Sequence, residues 1–321
     1  MTGLPLAFFI GRRLLAMVVL LLIISFGVFT LLYIAPGSVE QILLGAKPSS
    51  PETLKAIREQ YHLNDPFLTQ YWIWLKHALR FDFGVSIRTS APVLSGIEQR
   101  MGLTLFLGGY AFIVAMLTGV PLGILAALKK RTLVDRGVVA ASVIGVSAPA
   151  FATGIFLLYV FAVLVGWFPA YGQGTGFTDR LWHLTLPALA LALTAMALVL
   201  KLTRAAMIRA LDQDYVAFAR ARGIAPGRVL VVYALRNALI PVVTAAGLIL
   251  GYVLTGAVLV EVTFALPGIG SLLVDSVNFK DVPMVQGVAM VVAIVIILVN
   301  LLTDILYLFI DPRVRFSRAS A

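Results

Sequence analysis

The 321-residue sequence predicts an all-α, polytopic membrane protein with six transmembrane helices. Three observations carry that expectation: 60% of residues are hydrophobic and only 12% charged, mean hydropathy is +0.99, and six apolar runs each approach or exceed bilayer length. A soluble chain of this size needs a surface about a quarter to a third charged. The apolar excess here must face lipid.

A hydrocarbon core about 30 Å thick takes roughly 20 apolar helical residues. The runs that meet this demand are Leu14 to Ala35, Leu103 to Leu128, Val138 to Val165, Leu184 to Leu200, Ala238 to Val260 and Val285 to Ile310. Arg12 and Arg13 precede the first, but that run is too long for a secretory signal and no small-residue cleavage site closes it. It is expected to remain in the mature protein.

Positive charge assigns the sides, because short cytoplasmic loops retain Lys and Arg. One side carries Arg12 and Arg13, then Lys129, Lys130, Arg131 and Arg136, then seven between Lys201 and Arg236, then Arg313, Arg315 and Arg318. The opposite short loops carry two, Arg180 and Lys280. Both termini are therefore expected in the cytoplasm of a bacterial cell, with the chain crossing its cytoplasmic membrane. Trp167, Phe168, Tyr171 and Trp182 bracket an outer loop at interface depth.

Within the spans, Gly119 with Gly123 and Gly247 with Gly251 lie four apart, so each pair offers a small-residue face for close helix packing. Pro121, Pro149 and Pro187 each free a backbone carbonyl, and Pro149 at mid-span is a candidate kink or gating hinge.

The sequence divides into residues 1–35 with the first span, an extracytoplasmic loop subdomain at 36–100, and a five-helix core at 101–321 with a cytoplasmic loop at 201–237. In the outer loop Ser50 can cap a helix that starts at Pro51 and carries Leu54, Ile57, Arg58 and Tyr61 at helical spacing. Such a subdomain is too short for catalysis and suits a lid or docking surface. In the inner loop Asp214 can cap a helix whose apolar face is Leu211, Tyr215 and Phe218. Gly223 is placed to end it in a left-handed turn, and Pro226 starts a second helix. An apolar face flanked by Arg220 and Arg222 needs a partner, either a protein or anionic lipid.

Several classes fall away. No cysteine is present, and His62, His77 and His183 form no HExxH-type pair, so no metal or cofactor site is expected. The formal charge of +10 lies between apolar runs, as topology signals do, which argues against nucleic acid. No Gly-x-Ser-x-Gly elbow appears, and no Gly-Lys dipeptide could close a phosphate-cradling loop. The chain is expected to be non-catalytic.

The text Asp214-Tyr-Val-Ala-Phe-Ala-Arg-Ala-Arg-Gly223, followed by Arg236-Asn-Ala-Leu-Ile-Pro241, resembles the cytoplasmic signature of binding-protein-dependent ABC importer permeases, in the dipeptide, oligopeptide and nickel branch. The general pattern is Glu-Ala-Ala, three residues, Gly, nine residues, then Ile, any residue, Leu-Pro. Ala217, Phe218 and Ala219 fill the first places, Gly223 the fourth, and Tyr233 with Leu235-Arg236 the last. The leading Glu and terminal Pro are missing, as is usual in the peptide branch. Further matches occur in family order: Asp65-Pro66 with Tyr71, Asp82-Phe-Gly84-Val-Ser86, Pro121-Leu-Gly123, Glu261 to Gly268, Val285-Gln286-Gly287 and Asp311-Pro312-Arg313.

This resemblance implies a type I ABC importer permease fold, translocating peptides with a second homologous permease. It also implies two ATPase subunits that bind ATP and Mg, and a solute-binding protein that delivers cargo. The coupling residues would be Asp214, Tyr215, Ala217, Phe218, Ala219, Arg220, Arg222 and Gly223. Candidate pathway or gate residues are Ser147, Pro149, Thr244, Glu261 and Asn300, with Glu261 able to attract a peptide amino terminus at the outer mouth or to pair with a basic neighbour. The alternatives are the same scaffold carrying nickel or glutathione, or an ion-gradient-driven secondary transporter. The last class places acidic residues at mid-span and shows an inverted repeat, neither of which is visible here.

Overall fold

The computed structural model describes residues 4–34, 37–44 and 50–310, without the side chains of 4–10, 244, 304 and 306–310. In chain order the helices are α1 (Leu4–Ile34), α2 (Val39–Leu44), α3 (Pro51–Gln60), α4 (Phe67–Ala78), α5 (Val93–Leu128) and α6 (Leu133–Ser147). Then follow α7 (Ala150–Leu157), which continues as a π-helical stretch Leu158–Leu164, α8 (Gly176–Leu211) and α9 (Asp214–Ala221). The last are α10 (Pro226–Arg228), which runs through a π-helical stretch Val229–Leu235 into α11 (Arg236–Thr263), then α12 (Ile269–Asn278) and α13 (Val282–Ile310). The protein is all-α: among the described residues the only strand-like pairing is an isolated bridge between Val85 and Pro92.

All six expected spans are present, with shifted ends. Gly11–Ile34, Val93–Leu128, Gly176–Leu211 and Val282–Thr303 are long and apolar enough to cross a bilayer, as are Pro226–Val243 and Ala245–Thr263, which adjoin around the fifth expected span. The fourth, read as Leu184 to Leu200, is far longer, because Lys201, Arg204 and Arg209 lower the hydropathy without breaking the helix. Pro187 and Pro121 sit inside α8 and α5 without ending them. The third span is broken: α6 and the helix from Ala150 to Leu164 meet at 104°. Ala148 is extended at ψ 122°, because a residue before proline is excluded from the helical region, and Pro149, at ψ 139°, is the cap residue from which the next helix starts.

Contacts group the chain into two compact units, Met1–Thr104 with Pro267–Leu298, and Leu105–Leu266 with Val299–Ala321. The first unit has a core of Val28, Phe83, Val93, Ile97, Ile269, Met284, Val288 and Val291. Ser50 caps α3 by accepting from the Thr53 N–H at 3.1 Å, with Pro51 at the first helical position as the sequence predicts. Ile57 of that helix is buried, and Arg58 is exposed and paired with Glu40 at 3.0 Å.

In the second unit α8 is the central post, with many buried alanines and contacts to α6, α7 and α11. Small residues let the helices close. A Cβ on Gly119 would lie 2.9 Å from the Met196 carbonyl, and one on Gly123 would lie 2.8 Å from the Leu200 carbonyl. Gly247 packs likewise on Thr303, whereas nothing lies within 4 Å of a Cβ at Gly251. Only the second glycine pair falls short of its expected role.

Candidate functional site

The stretch 212–225 is a compact helical hairpin between α8 and the helix that begins at Pro226. Its base is a small-residue core of Ala127, Ala206, Met207, Ala210, Ala234 and Ala238, which joins the ends of α5 and α8 to the start of α11. A bidentate ion pair between Asp135 and Arg204 ties the first turn of α6 to α8 nearby, at 2.6 and 2.8 Å.

Helix α9 differs from its expected form in two ways. Its cap position is Gln213, which makes no side-chain capping bond, and Asp214 is the first helical residue. There its carboxylate is exposed and complements the helix dipole without closing the end. The inward face is Val216 and Ala219, buried against Val229 with Ile224 and Tyr233 alongside. Leu211 belongs to α8, so the expected face of Leu211, Tyr215 and Phe218 does not form as one surface. A hydrogen-bonded break at Asp212 and Gln213 separates the two helices.

What faces away from the protein is Tyr215 and Phe218, 37% and 70% exposed, with Ala217, Arg220 and Arg222 around them. Of the expected coupling residues, Ala219 alone has turned inward. Tyr215 is steadied by Asn237, whose amide donates to the tyrosine hydroxyl at 3.3 Å.

Gly223 ends the helix as predicted, at φ +71°. Its N–H donates to the Arg220 carbonyl at 2.9 Å and the Ile224 N–H to the Ala219 carbonyl at 3.2 Å. This pair of bonds is a Schellman motif, and Ile224 supplies its apolar contact against Val216 and Ala219. The turn thus fixes the angle at which α9 presents its outer face.

The candidate pathway residues are less gathered. Ser147 and Pro149 flank the break in the third span and are exposed. Glu261 on α11 has no exposed surface in the chain, which suits pairing better than capture of a peptide amino terminus. Asn300 on α13 is half-buried, and the side chain of Thr244 on α11 lies outside the described residues. Ser142 and Thr153 spend their hydroxyls on carbonyls of their own helices. Residues 311–321, with the Asp311-Pro312-Arg313 text, also lie outside the described residues.

Two features the sequence did not single out shape these units. One is the Asp135 and Arg204 pair, signalled only by the cap pattern of Thr132 three residues before Asp135. The other is Asp281, buried between the 86–88 loop and the start of α13.

Residues 119–316 match the family described as binding-protein-dependent transport system inner membrane component, and 6–108 match its N-terminal membrane component. Among curated relatives, the "Probable peptide ABC transporter permease protein y4tP" of Sinorhizobium fredii is 36% identical over 312 residues, covering 96% of this chain and 99% of that protein. The dipeptide transport system permease protein DppB of Alkalihalophilus pseudofirmus is 34% identical, covering 95% and 98%. The glutathione transport system permease protein GsiC of Escherichia coli K12 is 36% identical, covering 96% and 99%. Among solved structures, a chain of the inward-facing MetNI methionine ABC transporter superposes with a TM-score of 0.57 at 17% identity, covering 67% of this chain and 96% of that one. An amino acid ABC transporter gives 0.52 at 18%, covering 67% and 94%.

Proposed function

The chain belongs to the inner membrane component family of binding-protein-dependent transport systems, and from that premise we propose that it is the permease subunit of an ATP-driven importer of short peptides. The observation that carries the reading is the outer face of α9: Tyr215 and Phe218 stand exposed on a helix whose inner face is packed and whose end is locked at Gly223. An exposed aromatic pair on a rigid hairpin is costly unless a partner covers it. A groove on a cytoplasmic ATPase is that partner.

The assembly pairs this chain with a second, similar permease and two ATPase subunits that bind ATP and Mg. A solute-binding protein presents cargo at the outer face, and both termini are cytoplasmic. The peptide class rests on relatives named for peptide, dipeptide and glutathione transport, glutathione being itself a short peptide.

In the cycle, ATP binding closes the ATPase pair and displaces each docked hairpin. The small-residue core under α9 and the Asp135 and Arg204 pair pass that displacement to α5, α6, α8 and α11. Docking shifts the permease between inward-open and outward-open states only by the difference in its docking free energy between them. In this reading the third span, bent by 104° next to Pro149, is the element that changes arrangement between those states.

The test is uptake of a radiolabelled dipeptide by proteoliposomes holding the chain with its co-expressed partners. Uptake is expected to require ATP and the binding protein and to stop with vanadate. Uptake that ignores vanadate and collapses with an ion gradient would replace this reading with a secondary transporter.

A further inference from the structure

Helix α4 belongs to the outer subdomain, which the sequence suits to a lid or docking surface, yet it contacts α1 at depths a span reserves for lipid. The Tyr71 hydroxyl bonds the Ser25 hydroxyl at 2.7 Å and the Leu22 carbonyl at 3.4 Å. The Phe67 ring lies 5.9, 5.3 and 5.0 Å from those of Phe26, Phe29 and Tyr33, and Trp74 lies 5.7 Å from Phe29. The apolar span of α1 ends at Ile34. At 1.5 Å per residue, Ser25 is about 13 Å below that end, nearly half of a hydrocarbon core of about 30 Å. Even allowing for the length of a tyrosine side chain, the backbone of α4 rides beside the buried part of α1.

The side of α4 next to that contact agrees. Leu68 and Trp72 of α4 and Leu79, its C-terminal cap residue, recur at four and seven residues on one side, 69%, 54% and 73% exposed. Lys76 sits beside that stripe with its ammonium 5.4 Å from the centre of the Trp72 ring, and Arg80 follows it. Among the described residues no carboxylate pairs with Lys76 or Arg80. An apolar stripe edged by unpaired cations at membrane depth has the composition of a helix lying in a lipid interface, with long cationic side chains reaching to phosphate.

We infer that α4 is embedded in the lipid leaflet at the far end of α1, with Leu68, Trp72 and Leu79 among acyl chains and Lys76 and Arg80 on anionic headgroups. Continuity with the lipid-facing surface of α1, where Leu22, Ile23 and Phe26 are exposed, and charge complementarity with phosphate select lipid over a protein partner. The loop after α1 is then anchored in the bilayer, and its docking surface for any outer partner is confined to α2, α3 and the 84–92 segment. This inference does not depend on what is transported.

The chain has no cysteine, so each substitution introduces its single thiol, and the unsubstituted assembly labelled in parallel supplies the background of the other subunits. Leu68→Cys, Trp72→Cys and Leu79→Cys, with Glu52→Cys on exposed α3 as reference, are labelled with bimane in the full-length chain with its co-purifying subunits. The nanodiscs contain phosphatidylethanolamine and phosphatidylglycerol. Lipids with brominated chains are expected to quench the three α4 labels several-fold more than the reference, and aqueous iodide the reverse. Lys76→Glu combined with Arg80→Glu is expected to raise iodide quenching at Leu68→Cys and Leu79→Cys. Iodide quenching on α4 equal to that of the reference would overturn the inference in favour of a water-facing lid. Protection from both quenchers would overturn it in favour of a covering protein.

Discussion

Arg204 holds Asp135 with both arms of its guanidinium, Nε to Oδ1 at 2.6 Å and Nη2 to Oδ2 at 2.8 Å, while the Arg131 N–H donates to the same carboxylate at 2.9 Å. Asp135 is only 4% exposed, so its charge has little water to fall back on. Removing one partner of a buried pair leaves the other uncompensated, a loss of roughly 3 kcal/mol. Asp135→Ala is therefore expected to lower the thermal midpoint of the purified complex and to weaken coupling. Arg204→Lys, with a point charge in place of a fork, is expected to recover only part of the loss. A double-mutant cycle of Asp135→Ala and Arg204→Ala that is additive would remove this account.

Gly123 gives a second, purely steric prediction. A Cβ there would meet Leu200 O at 2.8 Å and Thr203 Cβ at 2.6 Å, and the first of these is backbone that cannot rotate away. Gly123→Ala is expected to destabilise the packing of α5 on α8 by about 1–3 kcal/mol. Gly251→Ala, with open space around its Cβ, is the matched control and is expected to be near neutral. Thermal unfolding in one detergent compares the two directly.

Asp281 joins two segments far apart in sequence. It accepts from the Ser86 hydroxyl and from the Ile87 N–H at 3.2 Å, and it caps α13 by accepting from the Met284 N–H at 3.3 Å. Asp281→Ala leaves these donors in a buried site, at a cost of about 1–3 kcal/mol. Limited proteolysis is expected to open the 84–92 segment in that variant first, with the spans still intact.

The spans were legible because lipid imposes a length on any apolar run, and no tertiary knowledge is needed to read it. Their ends were not, because Lys201, Arg204 and Arg209 extend α8 past its apolar window while their charge hides the continuation. Pro149 was legible as a breaker, but the angle of the break is set by packing around α7 and α8. On α9 the glycine stop followed from local backbone chemistry alone. The side that packs inward is decided by Val229, on the next helix, whereas Tyr215 and Phe218 stay on the outer face that their spacing marks as needing a partner; only Leu211, held in α8, leaves that face. The Asp135 and Arg204 pair is separated by 69 residues, and no periodicity links the two.

Gly223 separates the cost of a turn from the cost of a clash. Its φ of +71° is one that side chains resist, yet no atom lies within 4 Å of where its Cβ would be. Alanine there should cost only the backbone term, about 1 kcal/mol, and valine more because its branched Cβ narrows the choice further. Asparagine, which tolerates the left-handed region, should cost least. The order of effect on transport is therefore expected to be Asn, Ala, then Val, with Gly223→Val assembling poorly or hydrolysing ATP without uptake. The decisive measurement is the ratio of uptake to hydrolysis in proteoliposomes. If Gly223→Val transports normally, the turn does not hold α9 in place for docking. If Gly223→Asn fails as badly as Gly223→Val, the glycine serves close contact with a partner surface instead of backbone conformation.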